Sequence, residues 1–207
     1  MATIDFTLGV PDQRFEQRTP KRGLITKMEV RVVSLAKLGL QPKDTVWDIG
    51  TATASVAIEA ARLVAPGVVY AIEKNEEDVC IARRNLERFG AQNVMVFHGK
   101  APAGLEEWPD PDAVFIGGSA GSMAVLVKLA VQRLRSGGRL VANAATIENL
   151  HECVSAIKEA GWYADVILMQ VARSKPILNL TRFESFDPVY IVTGTAEAPV
   201  PPSGGEL

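Results

Sequence analysis

Thr45-Val46-Trp47-Asp48-Ile49-Gly50-Thr51-Ala52-Thr53-Ala54 decides the fold of this chain. A short apolar run, Thr45–Gly50, reads as a strand, and the alanine-rich segment 53–65 behind it reads as a helix. A glycine where a strand leaves a sheet permits a tight turn and lets a ligand approach the backbone. The helix that follows offers its free amides to the same place.

Working outward, Val68–Glu73 is a second apolar strand. Asn75 stands as cap to a helix whose first turn carries Glu76, Glu77 and Asp78, the sign the helix dipole favours, and Gly90 closes that helix. Further strands follow at Val94–His98, Ala113–Ile116 and, after the Gly137-Gly138 break, Arg139–Ala144. Helices are expected from about 120 to 135 and from Thr146 to Gly161. Two late apolar segments, 163–172 and 188–194, have no helix between them and should pair as an antiparallel addition at one edge. Upstream, Thr26 and Glu29 form a T-x-x-E capping box before a helix with Val30, Val33, Leu35 and Leu38 on its apolar side. The alternation of strands and helices predicts an α/β fold, a doubly wound, mostly parallel seven-stranded sheet with an antiparallel edge strand. The chain divides into an N-terminal arm (1–25), one domain (26–195) and a Pro/Gly-rich tail (196–207).

Composition narrows the classes. The chain has 207 residues, enough for one domain with its own core, and 47% hydrophobic and 22% charged residues. Its net charge of −2 gives no global field toward nucleic acid or an anionic membrane. Cys80 and Cys153 lie apart without a CxxC motif and read as buried thiols of a reducing compartment. Asp5, Asp12, Arg14, Glu16 and Arg18 near the start do not resemble a signal peptide, and no apolar run suits a membrane helix, so a cytoplasmic protein is expected. With lone His98 and His151, metal chemistry is not expected.

In an open α/β sheet, ligands bind outside the carboxyl ends of the strands. Four such places carry candidate groups: Asp48–Ala54 after the first strand, Glu73 ending the second, Gly99-Lys100-Ala101-Pro102 after the third, and Gly117-Gly118-Ser119 after the fourth. Each alone also reads as an ordinary turn, a solvated acid or a helix entry. Together, the glycine turn and an acid about 20 residues on favour a ligand with a ribose, whose hydroxyls a carboxylate can accept. A nicotinamide fingerprint fits poorly, because Ala52 and Ser55 stand where its later glycines would be. No G-K-[ST] phosphate loop and no G-x-S-x-G elbow is present.

The order Asp48-x-Gly50, Glu73 and Gly99-x-Ala101-Pro102 resembles the class I S-adenosylmethionine methyltransferases. Further stretches narrow the resemblance. They are Gly23-Leu24-Ile25-Thr26-Lys27-x-Glu29-Val30-Arg31, Tyr70–Glu73, Phe115–Ser119, Asn143-Ala144-x-Thr146, Val171–Ser174 and Phe183-x-x-x-x-Pro188 through Gly194. In that order they are similar to the decarboxylating precorrin-6B methyltransferases of cobalamin biosynthesis, over roughly residues 9–194. The resemblance implies methylation of carbon 15 of a corrin precursor with loss of carbon dioxide from the ring C acetate. It also implies a homotetramer. It assigns S-adenosylmethionine to Thr26, Asp48, Gly50, Thr51, Ala52, Thr53, Ala54, Glu73, Lys74, Ala101 and Gly117. Relatives carry G-x-G-x-G in the first loop, and this chain has Ala52 and Ala54 at the later glycines. An alanine held at positive φ costs on the order of 1 kcal/mol, so the cofactor should bind more weakly without being lost.

Positioning and an electron-rich macrocycle are enough for such a reaction, so no catalytic residue is assigned. A tetrapyrrole substrate carries many carboxylates. Arg14, Arg18, Arg173 and Arg182 are its expected partners, with Lys21, Arg22 and Lys175 beside them, although any one could equally belong to a solvated face. No nucleic-acid or membrane partner is expected. Two other readings stay open: a methyltransferase of RNA or protein, and a nucleoside-binding protein without catalysis.

Overall fold

The structure, a computed structural model, describes residues 7–19 and 25–198. Five strands, β1 (Thr45–Ile49), β2 (Val68–Glu73), β3 (Val94–His98), β4 (Ala113–Ile116) and β5 (Arg139–Ala144), are mutually parallel. Helices α1 (Met28–Leu38), α2 (Ser55–Val64), α3 (Glu76–Phe89), α4 (Met123–Arg133) and α5 (Ile147–Glu159) alternate with them. Then come β6 (Tyr163–Met169), a hairpin of β7 (Ala172–Ile177) and β8 (Leu180–Ser185), and β9 (Val189–Thr195). The main sheet has seven strands in the order β3-β2-β1-β4-β5-β9-β6. The seven-stranded, doubly wound sheet expected from the sequence is therefore present. Its antiparallel strand, β9, is inserted between β5 and the outermost strand, β6.

The alternation of side chains along each strand builds two cores. Val46, Val69, Ala71, Phe115 and Val141 face α1, α2 and α3. Trp47, Ile49, Ile72, Val114, Ile116, Leu140 and Ala142 face α4 and α5. Because neighbouring strands are in parallel register, such as Trp47 beside Tyr70 and Val114, each face is continuous. Trp47, fully buried, packs edge-on to Trp108 at 5.6 Å and donates its indole N–H to the Pro109 carbonyl. Burying a side chain of this size contributes a few kcal/mol.

Local chemistry sets most element ends. The Asn75 carboxamide oxygen accepts from the Glu77 and Asp78 amides, and Gly90 takes a left-handed conformation to end α3. Thr146 caps α5 through the Asn149 amide. The T-x-x-E capping box at Thr26 and Glu29 does not form: Lys27 is the cap residue of α1, and no side chain caps it. The Glu29 carboxylate goes instead to Arg173, and the Thr26 carbonyl accepts from Arg31. The Arg173 guanidinium gives the Glu29 carboxylate two charge-assisted bonds, where a capping box offers it one. The helix expected at 53–65 starts at Ser55, since Ala52 and Ala54 are left-handed, at φ 46° and 59°. The helix expected from about 120 is shortened to Met123–Arg133, and Ser122 is its cap residue.

Two further expectations change. Cys80 is exposed, because α3 buries Val79, Ile81, Ala82 and Asn85 and turns Cys80 outward; Cys153 is buried as expected. The first late apolar segment ends at Met169, and residues 172–185 form a separate hairpin whose strand residues are almost all exposed.

The arm is held by buried charge. Arg31, fully buried, donates to the Glu59 carboxylate at 2.7 Å, to Asp12 at 3.3 Å and to the Val10 carbonyl. Glu59 also accepts the Gly9 and Val10 amides at 2.9 and 3.0 Å. Every charge in this cluster has an opposite partner, which burial requires. The cluster pins residues 9–12 across α1 and α2. Lys21 and Arg22 lie outside the described residues.

Candidate functional site

The strand order reverses between β1 and β4, and there the two strand exits separate a cleft of about 880 Å³. Gly50 and Gly118 meet at its floor. A Cβ on Gly50, which sits at φ 77°, would lie 2.7 Å from the Gly118 carbonyl oxygen, so no other residue fits that turn. Gly117 is nearly as confined, with the Phe115 ring and the Gly50 carbonyl within 3.3 Å of a Cβ.

One end of the cleft is formed by the exits of β1, β2 and β3, and it gathers three carboxyl groups, those of Asp48, Glu73 and Asp78. Glu73, buried at the end of β2, accepts the Ala52 amide at 3.1 Å on one oxygen and the Asn75 amide at 3.0 Å on the other. Asp48 accepts from the Thr51 hydroxyl at 2.6 Å through Oδ2, while its Oδ1 is buried without a hydrogen-bond partner. Burial pushes its carboxyl up to about 7, opposed by the hydrogen bond from Thr51 and aided by the charge of Glu73. Burial also raises Asp78, against the pull of Arg18 at 3.2 Å. An orphaned carboxylate oxygen beside two further acids is a place for a cation. Lys74, Lys100, Gly99 and Ala101 complete this end.

The other end lies outside β4 and β5. Ser119, Asn143 and Asn149 line it, joined by Lys27 and Val30 of the α1 segment and by Phe186, Asp187 and Val189. These last residues reach the cleft because β9 runs antiparallel. Its beginning therefore lies at the sheet edge where the parallel strands end.

Of the residues singled out from the sequence, Thr26, Asp48, Gly50, Thr51, Ala52, Glu73, Lys74, Ala101 and Gly117 line this one cleft, and so does Arg18. Thr53 and Ala54 are buried beneath it, outside its lining, where the Thr53 carbonyl accepts from Asn85. Arg14, Arg173 and Arg182 are also outside the lining. Arg173 is bound bidentately to Glu29 at 2.8 and 2.6 Å and reaches Asp12 at 2.9 Å; the pairing raises its own pKa and lowers that of Glu29. Arg182 is exposed on the hairpin, 3.7 Å from Glu184. The Arg14 carbonyl accepts from Arg88, and its guanidinium lies over Phe89.

Lys27, Asn143, Asn149, Phe186 and Asp187 were not singled out as site residues. Asn143 was open to the strand-exit rule, since it stands at the end of β5. Phe186 and Asp187 were not, because only the direction of β9 brings them to the site.

The profile of the precorrin methyltransferase domain family matches residues 19–195. A protein of Pyrobaculum calidifontis named probable cobalt-precorrin-6B C(15)-methyltransferase (decarboxylating) is 38% identical, over 92% of this chain and 97% of that one. A protein of the same name from Methanosarcina acetivorans is 38% identical over 84% of this chain and 94% of its own. The crystal structure of precorrin-6y C5,15-methyltransferase from Geobacter metallireducens superposes with a TM-score of 0.87 at 40% identity, covering 92% of this chain and 97% of that one.

Proposed function

This chain belongs to the precorrin methyltransferase family, and from that premise we propose that it methylates carbon 15 of cobalt-precorrin-6B and decarboxylates its ring C acetate, in cobalamin biosynthesis. The observation that carries the reading is the cleft at the switch point, where Asp48 keeps an unpaired buried oxygen and Glu73 ends β2. S-adenosylmethionine, when bound, supplies an electrophilic methyl group on a cationic sulfur. The donor set fits it: two acids suit its ammonium and sulfonium charges, a strand-end carboxylate suits its ribose, and the glycine floor admits it close to the backbone.

The residues of the chain then have these tasks. Glu73 is held by the Ala52 and Asn75 amides with lone pairs left for hydroxyls. Gly50, Thr51 and Ala52 present the first turn, with Thr26, Lys74, Ala101 and Gly117 around the same cavity. Thr53 and Ala54 act from below, by holding the turn. The end lined by Asn143, Asn149 and Phe186 takes the macrocycle. The substrate carbon provides the electron pair for the new carbon–carbon bond, so the protein needs no nucleophile of its own. Holding the two reactants in line contributes several kcal/mol to lowering the barrier. When carbon dioxide leaves the acetate, the electron pair of the broken bond passes into the conjugated ring.

We place the reaction in the cytoplasm, where Cys80 and Cys153 persist as the free thiols they are here. The assembly is a homo-oligomer, with a tetramer the form implied by the family resemblance. Supporting this is the hairpin, which exposes Ile177, Leu178, Leu180 and Phe183. A two-stranded hairpin whose apolar side chains lie uncovered is marginal in water and gains from a second copy.

Incubating the purified protein with cobalt-precorrin-6B and S-adenosylmethionine tests the activity. The expected product is one methyl group richer and one carbon dioxide poorer by mass spectrometry. Calorimetric binding of S-adenosylhomocysteine without any such product would refute the assigned substrate.

A further inference from the structure

Among the described residues, four cations line the cleft: Arg18, Lys27, Lys74 and Lys100. Arg18 is committed to Asp78 and Glu77, at 3.2 and 3.9 Å. Lys74 and Lys100 follow β2 and β3 and stand at the end formed by the first three strand exits, beside Glu73. Lys27 is different in both respects. It forms no ion pair among the described residues, and its ammonium lies 5.4 Å from the centre of the Phe186 ring, placing it at the opposite end, beside the start of β9.

Phe186 carries a second cation, Arg173, at 5.1 Å on its ring. The two differ in what else they hold. Arg173 has the Glu29 and Asp12 carboxylates, whereas among the described residues Lys27 has only the aromatic face. A half-buried ammonium resting on a ring and lacking a carboxylate has charge to offer a ligand. The acid at the same mouth, Asp187, is exposed at the rim, where water screens it. The Lys27 side chain plays no part in capping α1, so its position is not explained by the helix.

We propose that Lys27, held by Phe186, is a substrate-binding residue that pairs with a retained side-chain carboxylate of the tetrapyrrole and so sets its orientation beside the methyl donor. This rests on the reading of the substrate given above. The carboxylate is one that stays on the product, because an ammonium paired with the departing carboxylate would stabilise it against loss of carbon dioxide. Lys27 thereby takes the role that the sequence suggested for Arg173, whose charge is used within the chain.

Lys27→Met and Lys27→Arg test the assignment. For Lys27→Met the KM for cobalt-precorrin-6B should rise roughly tenfold or more, as loss of a charge-assisted hydrogen bond implies. The Kd for S-adenosylhomocysteine should stay within about twofold by calorimetry, since its site is at the other end. Lys27→Arg keeps the charge and should bring KM most of the way back to the wild-type value. An unchanged KM in Lys27→Met overturns the proposal, as does an equal loss of S-adenosylhomocysteine affinity or a loss of decarboxylation alone with methylation intact. A wild-type protein that binds S-adenosylhomocysteine but does not turn over the tetrapyrrole removes the substrate reading, and this assignment with it.

Discussion

Ala52 and Ala54 occupy positions where the chain turns left-handed, at φ 46° and 59°. An L-residue there carries a strain of about 1 kcal/mol that glycine would not. The two are not equivalent, because Ala52 lines the cleft and Ala54 is fully buried under it. Ala52→Gly should therefore tighten S-adenosylhomocysteine binding, whereas Ala54→Gly should raise stability by about 1 kcal/mol with little change in affinity. Calorimetry and denaturant titration separate the two effects. Glu73→Ala removes both acceptor oxygens at the end of β2 and should weaken S-adenosylhomocysteine about tenfold or more. An unchanged Kd in folded protein would move the ribose elsewhere.

Asp48 adds a pH dependence. Its carboxyl titrates at about 7 in the ligand-free protein because it is buried. Across the interval from the ordinary carboxylate range to about 7, the folded state holds a proton that the unfolded state has lost. That contribution to stability is complete below about 4, where both states are protonated, and is lost as pH rises through about 7. Binding of a cation runs the other way, since it favours the ionised form. The affinity for S-adenosylmethionine should rise with pH up to about 7 and then level off, and Asp48→Asn should flatten the profile.

At the scale of elements, Arg173 ties the hairpin to the rest of the molecule. Arg173 leaves β7 to reach Glu29 on α1 and Asp12 in the arm, and Asp12 in turn meets Arg31. The arm, α1, α2 and the hairpin thus share one network of charges. Arg173→Ala leaves the buried Asp12 with half its partners and should cost about 2 kcal/mol in denaturant unfolding. Because Thr26 and Lys27 enter α1 beside this network, the same variant should weaken both cofactor and substrate binding. That pattern distinguishes a positioning role from direct substrate contact, which would affect the substrate alone.

For the whole molecule, the exposed hairpin matters most. Leu178, Leu180 and Phe183 are 96%, 74% and 72% exposed, an apolar set that a lone domain has no reason to hold in water. A paired Leu180→Lys, Phe183→Lys variant should shift the protein toward monomer, measured by light scattering after gel filtration. Wild-type protein that is already monomeric would refute the assembly.

What the sequence determined by itself was local in its physics. Strand and helix periods, the Asn75 cap and the Gly90 stop depend on residues a few positions apart, and with them came the parallel sheet and the acid spacing of Gly50 and Glu73. Tertiary structure decided whatever depended on long-range partners. The Thr26–Glu29 capping box failed because Glu29 had a stronger partner 144 positions away. The hairpin at 172–185 went unrecognised because Pro176 interrupts it and its turn sets Leu178, not glycine, at positive φ. The end of the cleft beyond β5 was hidden for a topological reason. Only the insertion of β9, antiparallel, beside β5 carries Phe186 and Asp187 to the edge where the parallel strands finish, and no local pattern encodes which neighbour a late strand will choose.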